Sequence, residues 1–211
     1  MTQALLVATG YLAGSFPFGY WVVRATKGVD IRAVGSGNIG AANVWRTFGA
    51  RYGLPVVLLD TLKGLVPALV ATLLAGELWG IAAGAAAMVG HARPLFLGFA
   101  RGGKMVATCG GAFLGVAPVV GGIGAAVWFV VFAACRYASV ASITAALTLP
   151  VAAVALGQPW PVITFAALAA LAVLVLHRAN LRRLRAGTET RVELRRRKSQ
   201  SALASQPRRS V

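Results

Sequence analysis

Residues 34–49, VGSGNIGAANVWRTFG, concentrate the small and polar residue types that bind anions. Small residues before a helix leave room for backbone N–H groups, which attract negative charge together with the helix dipole. Ser36 and Asn38 add hydrogen-bond donors, and Arg46 can hold a phosphate through two parallel hydrogen bonds. The stretch predicts a phosphate site that includes Ser36, Gly37, Asn38 and Arg46. The alternative is a glycine-rich turn in which Arg46 only sets membrane topology.

The same stretch matches the dinucleotide pattern G-x-G-x-x-G at Gly35, Gly37 and Gly40, with Asp60 twenty residues further on. That pattern binds a dinucleotide only between a strand and a helix of a βαβ unit. No strand pattern precedes the glycines here, and Asp60 lies in the apolar run VVLLD. A dinucleotide fold is therefore rejected.

A second candidate lies in residues 90–108, GHARPLFLGFARGGKMVAT. Gly102, Gly103 and Lys104 come directly before an apolar helix, so amides, dipole and ammonium favour an anion at one place. A nucleotide P-loop would need Ser or Thr where Met105 stands. The residues predict a phosphate cradle that does not bind a nucleotide.

Three ionisable residues lie in or beside apolar stretches. Asp60 and Lys63 are three residues apart on one helix face and would neutralise each other if buried in a membrane; a functional pair and a structural pair are equally compatible with this spacing. His91 is interpreted as a structural donor rather than a base, since the residue five positions on is Phe96 and not the aspartate of an H-x-x-x-x-D acyltransferase motif.

The remaining polar candidates lie near the ends of later apolar stretches. Ser139 and Ser142 are predicted to cap a helix, a position that serine favours. His177 and Asn180, three residues apart, face the same side at a water boundary and are equally compatible with a site or with anchoring. Glu189 is one of only five acidic residues in the chain.

Composition indicates the setting of these residues. Of 211 residues, 58% are hydrophobic and only 12% charged, whereas soluble domains carry about 25% charge. The net charge of +16 is concentrated near the C-terminus, with eleven of 21 Lys and Arg from Arg178 onward, which argues against nucleic acid as a partner. Cys109 and Cys135 lack Cys or His neighbours at ligand spacing and are expected to be free thiols, so no metal site is predicted. The opening Met-Thr-Gln has no basic region typical of a cleaved signal peptide.

Apolar runs predict an all-α, polytopic integral membrane helix bundle, because only helices satisfy their own backbone hydrogen bonds in hydrocarbon over these lengths. Seven transmembrane helices are expected, at 3–23, 53–75, 79–99, 106–121, 123–136, 142–157 and 160–177; five spans plus re-entrant segments are the alternative. Basic residues fall in segments 24–52, 100–105, 137–141 and 178–211, whereas the loops on the other side have none. The positive-inside rule then places the N-terminus outside and the C-terminus in the cytoplasm.

Two regions follow from this division. Residues 1–186 are predicted to form the transmembrane domain, and residues 187–211 a basic, disordered cytoplasmic tail. Within the tail, 195–198 could attract anionic membrane lipids at about 1 kcal/mol per charge, although a solvated topogenic tail is favoured.

Taken together, these segments resemble the acyl-phosphate-dependent glycerol-3-phosphate acyltransferases of bacteria. The resemblance runs from YLAGSFPFGY (11–20) through residues 28–49 and LLDTLKG (58–64) to NLRRLRAGTE (180–189), and so covers nearly everything but the tail. It departs at Arg93 and at the glycine loop, which is one residue longer and has Met105 where the family has glycine.

The resemblance implies a seven-span enzyme of the bacterial cytoplasmic (inner) membrane. The enzyme would move an acyl group from acyl phosphate to the C1 hydroxyl of glycerol 3-phosphate, giving lysophosphatidate in the first acylation step of phospholipid synthesis, with no cofactor. It implies catalytic roles for Ser36, Asn38 and His177 and a structural role for Glu189, and Asp60 and Lys63 are likewise assigned a structural role. The residues it implies in phosphate binding are Gly37, Arg46, Gly102, Gly103, Lys104, Ser142 and Asn180. His177 or the substrate phosphate could take the hydroxyl proton, and acyl-chain preference and oligomeric state stay open.

One alternative belongs to a different class of protein. A small membrane transporter or flippase for a phosphorylated solute or lipid would also have polar breaks between spans, but the sequence shows no paired repeat. A CDP-alcohol phosphotransferase would need a cluster of aspartates, and the chain contains only Asp30 and Asp60.

Overall fold

The computed structural model describes residues 1–193, and within that range the chain forms helices and no strands. The predicted all-helical fold is confirmed for this part of the chain. The helices are α1 (Thr2–Gly14), α2 (Phe18–Lys27), α3 (Ala41–Phe48), α4 (Ala50–Ala75), α5 (Glu77–Ala92), α6 (Val106–Val116), α7 (Pro118–Cys135), α8 (Ala138–Ala155), α9 (Trp160–Leu176) and α10 (Arg178–Arg185), with short 3₁₀ turns at Ile31–Ala33 and Leu95–Leu97.

Several helices are long and apolar enough to cross a membrane. Four such stretches are Thr2–Lys27, Ala50–Ala75, Pro118–Cys135 and Ala138–Ala155, and α9 with the bent α10 adds a fifth. Their outer faces carry large exposed apolar side chains, including Leu73, Leu74 and Trp160, each at least 70% exposed. Apolar surface on this scale requires lipid rather than water around it, so the chain is a multi-pass membrane protein.

Three predicted helix boundaries are wrong. The turn expected at Gly121 and Gly122 lies instead at Ala117, because Pro118 begins α7 and has no N–H to continue α6. The third span, expected to reach residue 99, ends at Ala92, before Arg93 and Pro94, since the residue that precedes a proline avoids the helical conformation. The first span is divided into α1 and α2 by Ser15, Phe16 and Pro17.

The central helix of the bundle, α6, lies directly against α4. Glycines let the two backbones approach closely: a Cβ on Gly64 would meet the carbonyl oxygen of Thr108, and a Cβ on Gly111 would meet that of Thr61. The Thr108 hydroxyl also donates to the carbonyl oxygen of Asp60, at 3.0 Å. This close approach fixes α6, and with it the loop that precedes α6.

Asp60 and Lys63 form the expected buried pair, with Nζ 2.7 Å from Oδ1. The Lys63 ammonium also donates to the carbonyl oxygen of Phe16 at 2.8 Å, so the pair ties α4 to the break between α1 and α2. Nδ1 of His91 lies 3.7 Å from the same Asp60 oxygen. A buried charge that lost its partner would be strongly destabilising, which supports a structural role for both residues.

The residues after α10 return to the helices. Val192 is buried, and its N–H donates to the carbonyl oxygen of Arg136 at 2.9 Å. Residues 188–193, which the sequence analysis assigned to the tail, therefore contact the bundle at the turn between α7 and α8. The predicted lipid-binding run 195–198 lies outside the described residues.

Candidate active site

One cavity, of about 440 Å³, brings most of the predicted polar residues together. Its polar end is lined by side chains from four separated segments: Ser36, Asn38, Arg46, Lys104, Ser139, Ser142, His177 and Asn180. From this end an apolar arm continues between α6, α7 and α8, past Leu114, Trp128 and Leu149. A second groove, of about 380 Å³, lies beside α1 and α4, and within residues 1–193 Lys63 is its only charged lining residue, so the first cavity is the candidate site.

The first loop is shaped by a residue that the sequence analysis overlooked. Asn43 is buried in α3; its Oδ1 accepts from the N–H of Ser36 at 2.9 Å, and its Nδ2 donates to the carbonyl oxygens of Val34 and Asn38 at 3.1 and 2.9 Å. These bonds close the loop around Gly37, whose φ of +68° is a left-handed conformation that favours glycine. The signal in the sequence for this role of Asn43 was a polar residue on the apolar face of a short amphipathic helix.

The second loop is held by the end of α5. The N–H groups of Gly102 and Gly103 donate to the carbonyl oxygens of Ala92 and His91, at 2.9 and 3.0 Å. Because these amides already have partners, the glycines do not present them to a phosphate as the sequence predicted. A Cβ on Gly103 would meet the His91 imidazole, so glycine allows the loop to lie on that ring and places Lys104 next to the cavity.

Met105 stands at the position where the sequence departs from the pattern of the family that it resembles. Its φ of +67° is left-handed, a conformation that costs a non-glycine residue about 1–2 kcal/mol. Glycine, which the resemblance implies at this position, would adopt it freely. In this chain Met105 adopts the left-handed conformation at the residue that directly precedes α6.

The two loops are joined by Asn38. Its Nδ2 donates to the carbonyl oxygen of Gly102 at 3.2 Å, while its Oδ1 accepts from the N–H of Gly40 at 2.8 Å. Both ends of the amide are therefore used in fixing the loops relative to each other. Asn38 thus positions the site in the structure, in addition to the catalytic role that the resemblance implied.

A chain of hydrogen bonds crosses the polar end. The Lys104 ammonium donates to Oδ1 of Asn180, and Nδ2 of Asn180 donates to Oε1 of Glu189 at 2.6 Å. Glu189 also accepts from the Ser139 hydroxyl and from Nε of Arg183, both at 2.7 Å. The carboxylate thus joins α8, α10 and the residues after α10, and through Asn180 it orients Lys104.

The charges at this end carry shifted pKa values. Burial, aided by the nearby guanidinium groups of Arg183, Arg46 and Arg101 and opposed by Glu189, lowers the pKa of Lys104 to about 8. Burial also lowers the pKa of Arg46 from its ordinary value, though a guanidinium stays charged. In the described part of the chain, no carboxylate lies within 4.0 Å of either cation, so both have capacity for an anionic ligand.

Glu189 keeps its negative charge for a different reason. Burial alone would raise the pKa of this carboxyl group, but hydrogen bonds from Asn180, Ser139 and Arg183 outweigh that effect and lower it. The hydrogen bonds therefore favour the ionised carboxylate at neutral pH. An ionised Glu189 is needed to accept all three bonds, because a protonated carboxyl group has less acceptor capacity.

His177 lies at the junction of α9 and α10, with Nδ1 2.8 Å from the carbonyl oxygen of Val173. A carbonyl oxygen can only accept, so Nδ1 carries the proton of the neutral ring and Nε2 is left as the acceptor. The arrangement suits a general base or a phosphate ligand.

Ser139 and Ser142 do not cap α8 as predicted; both lie inside its first turns. Ser139 bonds to Glu189, as described above. The Ser142 hydroxyl donates to the carbonyl oxygen of Ala138 at 2.6 Å and accepts from Nε1 of Trp128 at 3.1 Å. Ser142 thus links α7 to α8 where the polar end meets the apolar arm.

Comparison with known proteins shows the family of this chain. The profile of the glycerol-3-phosphate acyltransferase family matches residues 4–187. The chain belongs to that family. A glycerol-3-phosphate acyltransferase of Geobacter sulfurreducens is 47% identical over 90% of this chain and 98% of its own length, and one of Roseiflexus is 48% identical over 89% of this chain and 94% of its own.

Solved structures of the family are also similar. The crystal structure of PlsY, an integral membrane glycerol 3-phosphate acyltransferase, in its glycerol 3-phosphate form is 38% identical, with a TM-score of 0.87 over 98% of this chain and 100% of that one. The lysophosphatidic acid form is 39% identical, with a TM-score of 0.84 over 92% of this chain and 97% of that one. The acyltransferase resemblance is confirmed, and the transporter alternative loses its support.

Glu189 provides a test of the hydrogen-bond chain. Glu189→Ala should lower the thermal unfolding temperature in detergent and weaken glycerol 3-phosphate binding, because it leaves Asn180, Ser139 and Arg183 without their shared acceptor. A charge-assisted bond is worth about 1.5–3 kcal/mol. Glu193→Ala is the matched control, since Glu193 is exposed on the same segment. Equal behaviour of the two variants would contradict a structural role for Glu189.

Proposed function

We propose that this enzyme transfers an acyl group from acyl phosphate to the C1 hydroxyl of glycerol 3-phosphate, giving lysophosphatidate and inorganic phosphate. The observation that carries the proposal is a single cavity whose polar end holds Arg46 and Lys104 without carboxylate partners, and whose other end is an apolar arm. The two cations can hold the phosphates of the two substrates, and the apolar arm can accommodate the acyl chain of the donor. The names of the related structures, a glycerol 3-phosphate form and a lysophosphatidic acid form, support the same acceptor and product.

The chemistry asks little of the protein beyond positioning. The C1 hydroxyl oxygen attacks the acyl carbonyl carbon, the bond from that carbon to the phosphate oxygen breaks, and phosphate leaves with the electron pair. Holding two reactants in a reactive geometry can contribute about 7–11 kcal/mol in favourable cases. Arg46 and Lys104 would hold the phosphates, and Ser36 would donate to the oxyanion that develops on the carbonyl.

Two groups can take the hydroxyl proton. Nε2 of His177 is the acceptor nitrogen of the neutral ring, and a substrate phosphate oxygen is the other candidate. In either case the proton ends on a group that already lies in the polar end, and no acyl-enzyme intermediate is required.

The acyl donor is tested with purified enzyme and labelled glycerol 3-phosphate. Lysophosphatidate should form with acyl phosphate and be absent or feeble with acyl-coenzyme A, because the polar end offers two cations for compact phosphates and the sequence lacks an H-x-x-x-x-D motif. Robust use of acyl-coenzyme A would show that the donor is wrong while leaving the acceptor intact.

Lys104 predicts a pH dependence. With a pKa of about 8, its ammonium is charged below that pH and loses its proton above it, so the KM for glycerol 3-phosphate should rise as pH increases through 8. Lys104→Ala should raise this KM roughly 10- to 150-fold at neutral pH, the equivalent of one charge-assisted bond, and should remove the rise above pH 8.

Arg93→Ala is the control for this measurement, because Arg93 is an exposed cation in the same connection between α5 and α6 and should behave like the unmodified enzyme. Arg46→Lys keeps the charge but loses the planar fork, and should still impair activity. Unchanged kinetics in both Lys104→Ala and Arg46→Lys, at normal membrane abundance, would mean that these charges serve topology alone.

We also infer seven passages through the bacterial inner membrane, made by α1 with α2 and by α4 to α9. The short connections at Gly76, Ala117 and residues 156–159 contain no Lys or Arg, whereas the connections on the opposite side carry the site. The positive-inside rule makes that side cytoplasmic. On this division residues 1–193 belong to the catalytic domain.

Reporter fusions test this orientation. Fusions after Gly76 and Gly157 should report an external position, and fusions after Gly49, Arg101 and Gly187 a cytoplasmic one. Since the segments that form the site must all lie on one side, an external result for any of the last three fusions would be incompatible with the proposed site.

A further inference from the structure

The apolar arm of the cavity runs alongside α6. Val106 lies near Lys104 at the polar end, and Gly110 and Leu114 follow it on the same face of the helix. At a rise of 1.5 Å per residue, Gly110 lies about 6 Å and Leu114 about 12 Å beyond Val106 along the axis. Residues of α7 and α8, including Gly124 and Leu149, line the opposite wall.

The three glycines of α6 differ in what surrounds them. A Cβ on Gly111 would meet backbone atoms of Thr61, and one on Gly115 would meet backbone atoms of Leu65 and Leu69, so both are needed for packing against α4. A Cβ on Gly110 would have no atom within 4 Å. Glycine inside a helix costs roughly 0.5–1 kcal/mol relative to alanine in soluble proteins, and helix packing gives no reason for it at Gly110.

The other glycines along this cavity are not equivalent either. A Cβ on Gly40 would meet Asn38, one on Gly121 would meet the backbone at Leu114, and one on Gly124 would meet the Leu149 side chain. Among the cavity-lining glycines of the described residues, Gly110 is therefore the one whose missing side chain leaves space in the cavity itself.

We infer that Gly110 determines the acyl-chain length that the enzyme accepts, by keeping the arm open beyond the first turn of α6. The inference rests on the proposed function, since it takes the acyl chain of acyl phosphate as the occupant of the arm. A leucine side chain at this position would fill the open space and stop a long chain, while a short chain would still end before it.

The test compares hexadecanoyl phosphate with butanoyl phosphate, whose chain ends before Gly110, as donors for the unmodified enzyme and for Gly110→Leu. The variant should retain activity with the short donor and lose at least about tenfold in kcat/KM with the long one, so that the ratio of the two changes. Burying each methylene contributes about 0.8 kcal/mol, so two excluded methylenes already correspond to roughly 15-fold. Gly110→Ala should shift the ratio in the same direction by less.

Gly122→Leu is the matched control, because Gly122 is an exposed helical glycine with open space around it and does not line the cavity; its ratio should equal that of the unmodified enzyme. An unchanged ratio in Gly110→Leu, or an equal loss with both donors at normal membrane abundance, would overturn the inference. Should the leucine variant fail to accumulate, an unchanged ratio in Gly110→Ala would overturn it as well. Failure of the unmodified enzyme with both donors would instead refute the proposed donor.

Discussion

The need to keep a lysine ammonium charged and oriented in a largely buried cavity constrains the rest of this structure. Among the described residues no carboxylate contacts Lys104, which leaves it open to a phosphate, but an isolated buried charge is costly. The structure answers with an intermediate amide: Asn180 accepts from Lys104 and donates to Glu189. The carboxylate is thus close enough to support the charge and too distant to neutralise it.

That arrangement requires segments far apart in the sequence to meet at fixed distances. Asn38 bonds to the backbone of Gly102 across 64 residues, and the N–H of Val192 bonds to the carbonyl of Arg136 across the α7–α8 turn. Each of these contacts joins a loop to backbone rather than to another flexible side chain. The polar end therefore depends on loop conformation, and the glycines at 35, 37, 102 and 103 serve that conformation.

Features that recur along the chain, such as apolar runs and basic loops, could be predicted from the sequence. The bonding partners of individual residues in the fold could not. Long apolar runs and basic loops indicated a helical membrane protein, and the polar residues of three segments were correctly expected to meet. Gly102 and Gly103 were expected to present free amides, but backbone pairing with His91 and Ala92 uses them. Asn43 and Val192 went unnoticed because an isolated Asn or Val acquires its role only from the carbonyls and side chains that surround it in the fold.

Because α6 is short, its start, just after Lys104, lies close to the apolar arm of the cavity. Thr108 contacts α4 at Asp60 and Gly64, whereas α4 begins at Ala50, so α6 begins about 10 Å or more beyond the start of α4 along the bundle, at 1.5 Å per residue. Lys104 lies two residues before the start of α6. An acyl phosphate held there, as the proposed function requires, would have its acyl chain beside the apolar arm. Under the proposed function, the acyl chain would exchange lipid for apolar protein surface, so the hydrophobic cost of presenting an acyl phosphate to a polar acceptor would stay small. The same depth buries Lys104 and lowers its pKa, so the geometry that admits the lipid substrate also sets the pH range over which the cation can bind phosphate.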